Sequence, residues 1–395
     1  MTHQRSSFII HHSAFIVSVF TLAVFLRLLP GERMIDDAYI TFRYARNLVA
    51  GLGFVYNAGE RVLGTTTPLY TLLMAGLAFV LRSQNFPAIA VWVNALADGF
   101  ACALLIPLGE SLSGNKWVGA AAGLLYAVAP FSVAFAIGGM ETSVFVLLLI
   151  LTAFLYLRPN SAPAPPHPHT PLWPLTAALA LLTRPDALIF IGPIVLAYGI
   201  SLAPYRLWPH ATRVTSHESS AYSHTPILKS TIFFLAPLLL WLAFATLYYG
   251  SPLPHSIAAK SAAYHLQPLE GFVRLWQHYS TPFFEQATFE KIPFGNYWPL
   301  PGLVIYLSLF LIGALAFARR DRRSLAVTAY PLLYFATFAL ANPLIFRWYL
   351  TPPLPFYFLG LLGGVSQIAD SVSHMAASRR KLQPADSIPR TPTLP

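Results

Sequence analysis

The chain has 395 residues, 56% hydrophobic and only 10% charged, with a formal net charge of +10. A soluble domain carries about 25% charged residues, so this composition, with a mean hydropathy of +0.57, excludes a soluble globular protein and indicates a polytopic membrane protein. The charge does not indicate nucleic acid, because the basic residues sit in loops between apolar runs, and the single cysteine, Cys102, excludes an internal disulfide or a thiolate zinc site.

The first apolar stretch runs from Phe8 to Leu29 and ends Arg27-Leu28-Leu29-Pro30. It is too long for a signal-peptide core and lacks a small-residue cleavage site; it reads as an uncleaved first transmembrane helix. Further apolar segments lie near 68–82, 89–109, 118–136, 142–157, 172–183, 187–203, 229–249, 300–318, 324–341 and 348–367. Cys102 falls inside one of them and reads as a small core residue. The segment 68–82 is short, starts at Pro68 and ends at Arg82, which suits a re-entrant or interfacial helix. Leaving it out of the span count gathers Arg5, Lys116, Arg158, Arg206, Arg213, Lys229, the run Arg319-Arg320-Asp321-Arg322-Arg323 and the basic tail on one side, as the positive-inside rule requires.

The expected fold is therefore an all-α polytopic membrane protein of about 10 transmembrane helices with both termini cytoplasmic and the whole chain in the plasma membrane. Residues 1–377 form one embedded domain, with a first outer loop at 30–88 and a second at 250–299; residues 378–395 are expected to be a disordered tail. The Pro-rich stretch 158–171, with His167 and His169, reads as a cytoplasmic linker or as a histidine metal site, and 204–228 as a similar linker. No internal repeat is evident, which weighs against an inverted-repeat transporter.

On this topology the outward basic residues are few: Arg33, Arg43, Arg46, Arg61, Arg82, Arg184, Lys260, Arg274, Lys291 and Arg347, with Arg27 at the border. Cations are disfavoured outside, so several are expected to answer an anion such as a lipid phosphate. Residues 36–49 read as an interfacial amphipathic helix capped by Asp36 or Asp37. Helical spacing puts Asp36, Tyr39, Arg43, Arg46 and Asn47 on one polar edge, with Ile40, Phe42, Tyr44, Leu48 and Val49 on the rest. In the following loop Gly53 and Asn57-Ala58-Gly59 mark turns, and Glu60 and Arg61 either pair with each other or shape a sugar pocket. Asp98 and Glu110 are the only acidic residues in or beside the early spans, and neither has an obvious mid-membrane partner.

The run Asp36-Asp37-Ala38-Tyr39-Ile40-Thr41-Phe42-Arg43-Tyr44, followed by Gly53-Phe54-Val55-Tyr56-Asn57-Ala58-Gly59-Glu60-Arg61-Val62 and Thr65-Thr66-Thr67-Pro68-Leu69, resembles the first outer loop of a known superfamily. These are the membrane-embedded, C-type glycosyltransferases that use polyprenyl-phosphate sugars. The likeness is strongest to the arabinofuranosyl- and mannosyltransferase-like, family 39-like, group. Other matching pieces follow in order: Gly139-Met140-Glu141-Thr142, Thr183-Arg184-Pro185-Asp186, Tyr248-Tyr249-Gly250-Ser251-Pro252-Leu253-Pro254-His255-Ser256 with Lys260, and Arg347-Trp348-Tyr349-Leu350. His255-Ser256 departs from the expected Asn-Thr, and the C-terminal extracytoplasmic domain common in that group has no counterpart in the sequence, which leaves acceptor recognition unassigned.

The resemblance implies transfer of a sugar from a polyprenyl-phosphate donor to a glycan, lipid or protein hydroxyl on the extracytoplasmic side, by one inverting displacement. A carboxylate serves as base and cations stabilise the departing phosphate. Asp36 is the expected base, with Asp37 as alternative or orienting partner. Arg43, Arg184, Lys260 and Arg347 are the expected phosphate ligands, and Tyr39, Arg46, Glu60, Arg61, Glu141 and His255 line the substrate pocket. Glu141 either binds a divalent cation with Asp36, hydrogen-bonds the acceptor, or caps the next helix. Phe233, Phe234 and Trp241 read as packing or lipid contacts. The competing readings are a transporter or flippase for a lipid-linked glycan and a non-catalytic envelope assembly protein.

Overall fold

The computed structural model describes residues 2–158, 172–207, 225–256, 269–283, 299–341 and 346–382. Among the described residues all regular structure is helical. The elements are α1 (Thr2–Leu28), α2 (Ala38–Val49), α3 (Pro68–Leu81), α4 (Phe86–Ser113), α5 (Lys116–Val128), α6 (Pro130–Ala136), α7 (Thr142–Leu157) and α8 (Trp173–Thr183). After a 3-10 turn at Pro185–Ala187 come α9 (Leu188–Leu207), α10 (Thr225–Tyr249), α11 (Glu270–Ser280), α12 (Pro299–Arg320), α13 (Ser324–Thr328) and α14 (Tyr330–Ala341). A second 3-10 turn, Arg347–Leu350, leads into α15 (Leu354–Leu382). His167, His169 and Lys260 lie outside the described residues.

Among the described residues, three helices are long and apolar enough to cross a membrane: Phe86–Ser113, Leu228–Tyr249 and Pro301–Arg320. The single apolar segment expected at 118–136 is instead two helices, α5 and α6, bent by 53°. The cause is Pro130, which has no N–H to offer the carbonyl of Tyr126. Likewise 324–341 divides into α13 and α14, and shorter apolar helices, among them Pro68–Leu81 and Thr142–Leu157, accompany the long ones. A disordered tail was expected from 378, but α15 continues to Leu382; residues 383–395 lie outside the described residues.

Helix α4 is the spine of the bundle, packed against α1, α5 and α7, while α12 lies along α15. Two crossings are backbone-close because glycines meet there. A Cβ at Gly119 would run into the Ile106 carbonyl, and one at Gly313 into the Gly360 carbonyl. Small residues at such crossings are how membrane helices gain packing without a hydrophobic driving force between them. The main core joins α4, α5, α7, α9, α14 and α15; a smaller cluster joins Ala38, Phe42, Ala45, Tyr70, Met74, Phe86 and Met140, with Met34, Ile35 and Trp348 packed on it. Cys102 is fully buried and free, as its place in an apolar run implied.

The border residue Arg27 is fully buried, and so is Asp98. They form an ion pair at 2.9 Å, so Asp98 does have a partner inside the bundle, contrary to the sequence expectation. The remaining donors of Arg27 go to the carbonyls of Ala23, Tyr126 and Ala127 and to the Ser132 hydroxyl. The guanidinium thus replaces the helical bonds that the α5–α6 break removes.

Candidate active site

The sequence Asp36-Asp37 occupies a turn just before α2. Capping by either carboxylate was expected, but Asp37 stands at the N-cap position with no side-chain cap bond. The reason is local: the N–H groups of Ala38, Tyr39 and Ile40 already bond the carbonyls of Ile35, Asp36 and Asp37. The Asp36 carboxylate is exposed and accepts the Asp37 N–H at 3.0 Å. Both aspartates are therefore released from the helix-capping duty.

Two backbone bonds fix where this turn sits. The Arg33 N–H reaches the Ile137 carbonyl at 3.3 Å and the Ile35 N–H reaches the Gly138 carbonyl at 2.9 Å. They lay residues 33–37 against residues 137–141, so that Asp37 bears electrostatically on Glu141 and on Tyr349. Glu141 is 5% exposed and stands at the N-cap of α7 without using its side chain as a cap. Burial pushes its carboxyl above the usual range; Arg184 opposes this, and the like charges of Asp186 and Asp37 add to it.

Below Glu141 is Arg184, 3% exposed. Its Nε and Nη2 donate to the two carboxylate oxygens of Asp186, each at 2.9 Å, and its Nη1 lies 3.7 Å from Glu141 Oε1. The guanidinium also covers the rings of Tyr349 at 4.4 Å and Phe145 at 5.2 Å, and Tyr334 donates to Asp186 Oδ2 at 3.4 Å. A planar two-point pair stacked on aromatics is the arrangement arginine suits best in a dry setting. Asp186, Tyr334 and Tyr349 were not among the residues expected at the site. The signal for Asp186 was present in Arg184-Pro185-Asp186, where the proline turn returns the carboxylate to its neighbour's guanidinium.

The other expected residues divide into two groups. On the open edge of α2, Tyr39, Arg43 and Arg46 are exposed with Asp36, but Asn47 is buried. Asn47 donates to the carbonyls of Val55 and Tyr56 at 2.9 and 2.8 Å, and Arg43 also donates to Tyr56 O at 3.1 Å. Arg46 lies over the Phe86 ring. Glu60 and Arg61 have separate partners, Glu60 accepting from Asn57 and Arg61 covering the Tyr248 ring at 4.8 Å. His255 is tied by its backbone N–H to Leu63 O, leaving the imidazole exposed. Arg347 is exposed at the start of the second 3-10 turn, two residues before Tyr349. Trp241 packs on Phe54 and Phe244. Among the described residues no three His, Cys, Asp or Glu side chains gather as a metal would need.

No family model matches the chain. A terminal beta-(1->2)-arabinofuranosyltransferase of Mycobacterium tuberculosis is 28% identical over 176 residues, which is 42% of this chain and 25% of that protein. The apo oligosaccharyltransferase of Archaeoglobus fulgidus superposes with a TM-score of 0.53 at 13% identity, covering 94% of this chain and 52% of the other. ArnT from Cupriavidus metallidurans, bound to undecaprenyl phosphate, superposes with a TM-score of 0.50 at 14% identity, covering 95% and 64%. The chain thus spans a quarter of the curated relative and about half of the oligosaccharyltransferase. Its fold is that of the oligosaccharyltransferase and of ArnT.

Proposed function

We propose that the chain is an integral membrane glycosyltransferase moving a sugar from a polyprenyl-phosphate donor to an acceptor hydroxyl on the extracytoplasmic side, within a bundle of about ten spans. The observation that carries this reading is the seating of the Asp36-Asp37 turn on the Glu141 loop, above the buried Arg184. Two carboxylates freed from capping, beside exposed cations at the mouth of a membrane bundle, are what deprotonation of an alcohol next to a leaving phosphate requires.

In this mechanism the acceptor oxygen attacks the anomeric carbon as its proton passes to Asp36. The bond from that carbon to the phosphate oxygen breaks, and the polyprenyl phosphate departs with the electron pair. Asp37 orients the site from the Glu141 side. Arg43, Arg46 and Arg347, all exposed, meet the phosphate together with Lys260. In our reading Arg184, bonded at two points to Asp186 and stacked on Tyr349, supports Glu141 and Tyr349 and keeps its Nη1 for the phosphate. If a divalent cation takes part, Glu141 with Asp36 or Asp37 supplies only two carboxylates, so donor phosphate oxygens and water would complete its shell.

The test is transfer of radiolabelled sugar from a panel of polyprenyl-phosphate sugars in membranes. We expect Asp36→Asn to lower kcat about 10²–10⁴-fold, the range for loss of a general base, with normal expression, and Asp37→Asn to lower it less. Full activity in both variants would sink the mechanism. The Arg27–Asp98 pair is the one observation that favours a transporter, because buried ionisable pairs mark translocation paths. Its donors are spent on the α5–α6 carbonyls, which makes it a structural clamp in our reading.

A further inference from the structure

We infer that Asn94, assisted by Tyr70, is a positioning residue that holds the Glu141 loop, and through it the Asp36-Asp37 turn, in register. The inference deepens the proposed function, since both carboxylates belong to that site.

Asn94 lies in α4 and is fully buried. Its amide donates both protons, to the Ala136 carbonyl at 2.9 Å and to the Met140 carbonyl at 2.8 Å. These carbonyls bracket the turn Ile137-Gly138-Gly139, with Gly139 at a φ of +76°. Tyr70 in α3 reaches into the same turn, donating to the Gly139 carbonyl at 3.2 Å and lying 3.4 Å from the Asn94 amide oxygen. The outer side of the turn receives the Arg33 and Ile35 N–H groups on Ile137 and Gly138. One amide therefore fixes the inner side of the turn that the catalytic loop rests on, one residue before Glu141.

The placement on α4 extends the point. Asn94 and Asp98 are one helical turn apart on one face. Asp98 works through Arg27 on Tyr126, Ala127 and Ser132, at the break between α5 and α6, and Asn94 works on the C-terminal end of α6. In a dry interior each of these carbonyls has few alternatives to the side chain provided. An asparagine offers two donors on one rigid plane, and neither Ser, Asp nor Leu can reproduce that pattern. A misplacement of about 1 Å from a change far from the chemistry can cost about 10²-fold in rate.

The experiment pairs a structural probe with kinetics. Ile137→Cys puts a thiol at a buried site in the turn, in a chain whose own Cys102 is buried. Labelling by a hydrophilic maleimide is followed in detergent-solubilised protein, with Asn94→Ala, Asn94→Asp or Tyr70→Phe added. Asn85→Ala, which removes the side-chain cap of α4, serves as a control for general loss of stability. We expect about tenfold faster labelling in the Asn94 variants, no change in the control, and a kcat at least tenfold lower with the donor KM within about threefold. If the Asn94 variants do not accumulate, Tyr70→Phe decides, with faster labelling supporting the inference and unchanged labelling overturning it. Unchanged labelling in folded Asn94 variants, or equal labelling in the Asn85→Ala control, would also overturn it. Labelling needs no activity, so a chain inactive with every donor but loosened by Asn94→Ala would defeat the proposed function and leave this inference standing.

Discussion

Arg184 is bonded by Asp186 two residues on, and it meets Glu141 from the α6–α7 loop and Tyr349 from the second 3-10 turn, while its Nη1 has no hydrogen-bond partner among the described residues. Removing one partner of a buried pair strands the other charge, at a cost of about 3–5 kcal/mol. Asp186→Ala should therefore lower the melting temperature of the solubilised protein sharply, whereas Arg43→Ala, at an exposed position, should shift it little; equal effects would refute the buried clamp. At this scale the sequence was partly legible. Charged residues in an apolar chain are few enough to single out Asp36, Asp37, Glu141 and Arg184. What spacing could not supply was which of them face one another. Arg27 and Asp98 are 71 positions apart and each looks solitary in the sequence.

The loop between α2 and α3 illustrates how an element is fixed by a few polar anchors. Tyr44 is buried in α2, and its hydroxyl donates to Val62 O at 2.7 Å while accepting the Gly64 N–H at 2.8 Å. Burial raises the Tyr44 phenol above its ordinary range, so it stays protonated and keeps its donor role. From the other side the Tyr249 hydroxyl bonds the Phe54 carbonyl, and Gly53 leaves room for the Tyr248 hydroxyl. Tyr44→Phe keeps the ring and loses both bonds, at about 1–3 kcal/mol. Limited proteolysis should then cut within 53–64 several-fold faster, and an unchanged rate would show that the α10 contacts suffice. Periodicity foretold α2 and its exposed edge of Asp36, Tyr39, Arg43 and Arg46. It misassigned Asn47, because an asparagine at the border of that edge can turn inward to serve two loop carbonyls. The bend between α5 and α6 was announced by Pro130 and was passed over because both sides of it are equally apolar.

Across the whole molecule, hydropathy foretold an all-helical chain and the ordered motifs pointed to a fold that the solved structures share. The count and direction of spans rest on the positive-inside argument. If that argument holds, single cysteines at Ser373 in α15 and at Gly51 after α2 should react with an impermeant maleimide from opposite faces of oriented vesicles. Labelling from one face would reverse it. Helix α10 keeps most of its apolar surface out of the bundle, with Leu240 at 73% and Leu247 at 87% exposure, so a lipid or detergent belt is required around this flank.

The clamp made by Arg27 also bears on the order in which the chain can assemble. The orphaned carbonyls of Tyr126 and Ala127 emerge from the ribosome about 100 residues after the arginine that satisfies them. In lipid they have no water to fall back on. The first helix must therefore wait, undispersed, beside the site of insertion until the bent α5–α6 pair arrives, and its own buried charge is in turn accommodated only when α4 brings Asp98. The early segments of this protein mature as a set of four helices rather than one at a time.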